Sequence, residues 1–96
     1  MKQFAVYLLA SRMRGTLYIG VTSDLLRRIH EHRSGTSSAF TRKYRVHRLV
    51  YFGLHDEAHP VIQREKSLKH RSRAWKIQLI ERTNPEWQDL YESING

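Results

Sequence analysis

Apolar and polar positions divide the chain into short β-prone runs and longer amphipathic stretches. The run from Phe4 to Ala10 is apolar throughout, and the turn-forming stretch from Ser11 to Gly15 follows it. This pattern predicts a first strand over 4–10 with 16–21 as its hairpin partner. Thr22, Ser23 and Asp24 then offer N-caps for a helix through Arg33. Leu25, Leu26 and Ile29 form its apolar stripe, and Gly35 stands as its stop. The polar stretch GTSSAFTRKY reads as a loop, and 45–54 reads as a third strand.

Asp56 is the expected cap of a second helix, which tolerates Pro60 in its first turn and runs to about His70. Ser72 can cap another through WKIQLIER. Asn84 followed by Pro85 predicts the start of a last helix with Trp87, Leu90, Tyr91 and Ile94 along one side. The order β-β-α-β-α-α-α describes an α+β fold with a small sheet. With no repeat, low-complexity tract or linker, the 96 residues read as one domain over 1–96.

Charge is the bulk property that changes this picture. Seventeen Lys and Arg against nine Asp and Glu leave a formal +8. A domain this basic attracts polyanions, nucleic acid foremost. The cations cluster in RRIHEHR, TRKYRVHR and KHRSRAWK, so the fold must gather them for the argument to hold. The longest apolar run is too short to cross a bilayer, and the N-terminus lacks a secretory pattern. The absence of cysteine excludes a disulfide framework and a thiolate zinc site. The expectation is a cytoplasmic protein with no membrane association.

Candidate chemistry lies in a few positions. On the second predicted helix, Glu65 falls near the middle of a face shared by Ala58, Val61, Ile62 and Leu68. A carboxylate there calls for a cation or a metal, and a neighbouring arginine would answer equally well. Arg28 and His32 sit four residues apart on one border of the first helix and can address one point, while Arg27 faces away. A phosphate beside that helix start would suit them. Read separately, Arg28 serves equally as a surface ion pair and His32 as a helix-surface histidine. Tyr7 and Tyr18 fall on the paired strands, where tyrosine is common because it packs well. A phenol is a poor base until a cation stabilises its phenolate. The histidines do not make the HExxH spacing of a zinc protease.

Tyr7 in AVYLL, Tyr18 in YIG, Arg28 ten positions later, His32 four further on and Glu65 in REKSLK resemble the GIY-YIG nuclease superfamily. The likeness extends over nearly the whole chain and points to the small stand-alone bacterial branch. It implies a three-stranded antiparallel sheet flanked by helices, and metal-dependent hydrolysis of a DNA phosphodiester. Carried over by position, Glu65 would hold a single Mg²⁺ or Mn²⁺ and Arg28 would bind the scissile phosphate. Tyr7 and Tyr18 would position and deprotonate the attacking water with help from His32, Tyr7 being the family-like candidate for general base and Tyr18 the alternative. DNA is the implied partner, with a structure-selective role in repair or recombination.

The chain departs from the family pattern in places. Ala5 and Val6 replace the Gly-Ile that precedes the first tyrosine. Val21 and Gln88 stand where the excision-repair module carries lysine and asparagine. These departures motivate an alternative, a catalytically inactive nucleic-acid-binding module of the same fold. A protein-interaction domain whose basic face meets an acidic partner is a third reading.

Overall fold

The computed structural model describes residues 3–36 and 38–95. Its organising element is β1 (Phe4–Ala10), central in a three-stranded antiparallel sheet of order β2-β1-β3. β2 (Leu17–Thr22) and β3 (Arg48–His55) flank it. Ala5 to Ala10 are all buried, which explains why β1 reads as a continuous apolar run rather than an alternating one. Val6, Leu8 and Ala10 belong to one core with Val50, Val61, Leu68, Leu79, Ile80 and Trp87. Tyr7 and Leu9 belong to a second with Ile29, Val46 and Leu49.

Helices cover both faces. α1 (Leu25–Ser34) packs Ile29 on the Tyr7 side. It starts at Asp24, whose carboxylate accepts from the Arg27 N–H, and stops at Gly35 in the left-handed region at φ 80°. α3 (Ala58–Lys69) and α4 (Arg73–Thr83) supply the opposite core. Ser72 caps α4 through the Trp75 N–H as the sequence predicts. The fold class and strand count follow the expectation, and the departures are local.

GTSSAFTRKY is not a loop throughout: α2 (Ala39–Tyr44) is a helix capped by Ser38, while Ser37 lies outside the described residues. Six residues are too few to show a helical period, so only the cap could have betrayed it. Arg45 closes α2 in a left-handed conformation at φ 56°, which delays β3 to Arg48. Glu57, not Asp56, occupies the N-cap of α3, and it makes no side-chain capping bond. Pro60 sits in the first turn, where its missing N–H leaves no helix bond unmade.

The last predicted helix is the largest miss. Asn84 ends α4, and only α5 (Tyr91–Asn95) is helical beyond it. Trp87 takes φ 57° and is fully buried in the α3–α4 core, whereas Leu90, Tyr91 and Ile94 pack with the Tyr7 core. One helix cannot present a single stripe to both faces of a sheet, so the chain buckles between them. Asn84 stabilises the buckle. Its amide donates to the Val50 and Gln88 carbonyls at 3.2 and 2.9 Å and its oxygen accepts from the Gln88 N–H at 3.0 Å. We expect Asn84→Ala to destabilise the fold by about 1–3 kcal/mol through buried groups left unpaired. Urea unfolding measures this, and an unchanged midpoint would contradict the buckle's role.

Candidate active site

The site begins with a register. Tyr7 on β1 lies opposite Gly20 on β2, and Leu9 opposite Tyr18. A Cβ at Gly20 would stand 2.5 Å from Tyr7 Cζ and collide with the phenol oxygen. The missing side chain therefore lets the Tyr7 ring lie across the edge strand. Beyond that edge is a cleft of about 520 Å³ lined by Tyr7, Tyr18, Arg28 and Glu65, among others. Strand, hairpin partner, α1 and α3 thus deliver four predicted site residues to one place.

His32, the fifth, stands behind them and is fully buried. Its Nε2 lies 2.9 Å from the Tyr7 hydroxyl, and its Nδ1 lies 3.1 Å from Thr41 Oγ1. The Thr41 hydroxyl donates its one proton to the Ser38 carbonyl at 3.2 Å. Thr41 therefore accepts from Nδ1–H, which leaves Nε2 bare to accept from the phenol. The order of donation runs Tyr7, His32, Thr41, Ser38. Its far end is on α2, the segment the sequence pattern leaves as a loop.

Arg28 is half-exposed, with Nε 3.3 Å from Glu31 Oε1. That approach is too poorly aligned for a hydrogen bond, and the buried Nε has no other partner. The guanidinium fork is thus held but underused, ready for bidentate phosphate oxygens. The N-terminus of α1 does not share this duty, because Asp24 already caps it with a negative charge. Arg27 points outward as predicted. Glu65 is sheltered at 18% side-chain exposure and pairs with Lys69 Nζ at 3.3 Å.

Among the described residues no three His, Cys, Asp or Glu gather as a metal cluster. A lone carboxylate beside two phenols in a roomy cleft still suits a hard cation that keeps most of its own waters. Lys69 shows that the carboxylate accepts a positive charge there. Lys69 and Lys76 also line the cleft, so three cations face one carboxylate.

Residues 3–78 match the family model described as the GIY-YIG catalytic domain. The chain belongs to the GIY-YIG family. It is 42% identical over 72 residues to a UPF0213 protein of Syntrophus aciditrophicus, covering 74% of this chain and 82% of that one. It is 31% identical over 80 residues to one of Clostridium perfringens, covering 83% and 86%. The solution NMR structure of a UPF0213 protein from Bacillus halodurans superposes with a TM-score of 0.57 at 31% identity, covering 91% of this chain and 92% of that one. Membership in this GIY-YIG family implies a nuclease-type function with DNA as the substrate class. GIY-YIG nucleases generally depend on a divalent metal. Among the described residues no helix is long and apolar enough to cross a membrane.

Electrostatics in this GIY-YIG site hold the resting state neutral. Burial drives the Tyr7 phenol well above its ordinary ionisation range; Tyr18 adds to this, Arg28 opposes it, and Glu65 and Glu31 reinforce it. Burial likewise lowers His32 to about 4, with Arg28 and His47 acting in the same direction and Glu31 against. A protonated phenol facing an unprotonated imidazole matches the donation order set by Thr41.

Sequence reasoning missed Gly20, Thr41, Phe40, Lys69 and Lys76. Gly20 stood inside the YIG match and needed only the cross-strand register to give it a reason. Val21 does line the cleft, but Gln88 does not; its backbone is engaged with Asn84.

Two outcomes follow from this geometry. Gly20→Ala should displace the Tyr7 ring and lower stability by about 1–3 kcal/mol through overpacking; loss of the Tyr7–His32 coupling by NMR checks it, and an unperturbed phenol would contradict it. His32 binds its proton more weakly when folded than the ordinary 6.5 of an unfolded histidine. The unfolded chain therefore holds more protons between pH 6.5 and about 4, and stability falls as pH drops through that window. The loss attributable to His32 is about 3 kcal/mol. Denaturant unfolding of wild type and His32→Asn across the window measures it, and equal pH slopes would contradict it.

Proposed function

We propose that this chain is a Mg²⁺- or Mn²⁺-dependent DNA endonuclease that hydrolyses a phosphodiester with water. What carries the reading is the convergence of Tyr7, Tyr18, Arg28 and Glu65 on one cleft, with His32 hydrogen-bonded behind the phenol. Arg28 grips two oxygens of the scissile phosphate. Tyr18 confines the attacking water against Tyr7. The water proton passes to Tyr7 Oη as the Tyr7 proton passes to His32 Nε2. The water oxygen forms its bond to phosphorus while the bond to the leaving sugar oxygen breaks. Bulk water in the open cleft supplies the proton that the leaving alkoxide needs.

Substrate binding favours that transfer. After burial, Arg28 is the main influence that depresses His32. The single negative charge of a phosphodiester bound to Arg28 offsets that effect and makes the imidazole a better acceptor. Glu65 is the residue that would hold the divalent ion, displacing Lys69. When bound, the ion supplies Lewis-acid stabilisation of charge developing on the phosphate. The proposed setting is cytoplasmic, in structure-selective repair or recombination.

The pairing of Lys69 with Glu65 also favours a second reading, a relic site on a nucleic-acid-binding module. Nicking of plasmid and branched DNA with Mg²⁺ or Mn²⁺ separates the two. Glu65→Gln, Arg28→Ala and Tyr7→Phe should each lower cleavage by about 10²–10³ while the fold persists. Salt-dependent binding that survives Glu65→Gln, with no scission under either metal, would establish the inactive module instead.

A further inference from the structure

Most of the large aromatic rings are accounted for by packing. Trp87 is buried, Tyr51 and Phe52 pack against the two cores, and Trp75 lies beneath the Arg64 and Arg71 guanidinium groups at 5.8 and 4.7 Å. Phe40 and Tyr44 are different. They project one turn apart from α2, with 42% and 47% of their surfaces exposed. Their ring centroids are 4.8 Å apart, and Phe40 stands 6.0 Å from Tyr18. Phe40 also lines the cleft that holds Arg28 and Glu65. A line of rings thus leaves Tyr7, passes Tyr18 at 6.4 Å, and climbs through Phe40 to Tyr44 at the surface.

Exposing two aromatic rings side by side is unfavourable unless something covers them. The charges around them indicate what. Arg42, Lys43 and Arg45 share the segment, and Lys43 Nζ lies 5.4 Å above the Tyr44 ring. Rings interleaved with cations suit a strand with both a π-face and a phosphate at every step. Bases within a duplex hide those faces between their neighbours; only an unpaired base can offer one.

We propose that Phe40 and Tyr44 form a stacking platform for an unpaired nucleobase beside the phosphate held by Arg28, making single-stranded or locally unpaired DNA the preferred substrate. The proposal rests on the nuclease reading for the role of the cleft. The platform is tied to the chemistry through Thr41, which follows Phe40 in α2, is buried beneath the helix and anchors His32. A base stacked on Phe40 is thereby fixed relative to the Tyr7 phenol. A duplex lacking an unpaired base would present its backbone to the cations without engaging the rings.

The test is oligonucleotide binding in EDTA at fixed salt, comparing a labelled single strand with its duplex. Phe40→Ala and Tyr44→Ala should each weaken single-strand affinity by about five- to a hundredfold. Duplex affinity should change by less than about twofold, because its phosphate contacts remain. Phe40→Trp should retain single-strand binding, which separates stacking from damage to α2. Equal losses on both ligands, or no loss on either, would overturn the proposal. So would a dimer of this chain that Phe40→Ala dissociates, since a second copy would then be what covers the rings. Because no metal is needed, failure of cleavage in the wild type would count against the nuclease reading and leave this comparison intact.

Discussion

Tyr7 has to satisfy two demands that ordinarily conflict. Its ring must pack into the centre of a sheet whose middle strand is buried on both faces, yet its hydroxyl must reach an open cleft. The absent side chain at Gly20 reconciles them, because the ring crosses the edge strand where a Cβ would otherwise stand. His32 then fixes the hydroxyl from behind at 2.9 Å. Everything else at the site is placed relative to that phenol. The hairpin brings Tyr18, α1 brings Arg28 and His32, and α3 reaches from the opposite face with Glu65.

The same sheet divides the helices into two layers and explains why the chain buckles after Asn84. Trp87 belongs to the core under α3 and α4, while the following residues belong to the core under α1. The Leu90 N–H bonds the Leu49 carbonyl at 2.7 Å, and Asp89 accepts from the Leu49 N–H and grips Arg33 at 2.6 Å. These contacts close the far end of α1 against β3, so the helix carrying Arg28 and His32 is anchored at both ends. The inner side of the candidate site is therefore held by hydrogen bonds and packing, while on the cleft side Lys69 pairs with Glu65 and Glu31 stands near Arg28.

What was legible in the sequence was what periodicity and spacing encode. The β1 run, the Asp24 cap, the Gly35 stop and the Ser72 cap were all readable because each acts through its nearest neighbours in the chain. The tyrosines, Arg28, His32 and Glu65 were readable because their spacing matched a family pattern, and the structure brings four of them to one cleft with His32 behind. Three features were not readable. α2 is shorter than the window a helical period needs. The Asn84–Trp87 buckle depends on which face of the sheet each apolar residue joins, which is a tertiary decision. Thr41 matters only because a histidine nine residues away turns its Nδ1 toward it.

The central claim is that His32 waits as a neutral imidazole with Nε2 bare and facing the phenol. Side-chain ¹⁵N NMR of His32 at neutral pH reads this directly, since protonated and bare ring nitrogens resonate far apart. The account predicts a proton on Nδ1, none on Nε2, and no conversion to imidazolium until the pH approaches about 4. A proton on Nε2 at neutral pH, or a doubly protonated ring, would show that the phenol has no acceptor behind it and would contradict the relay.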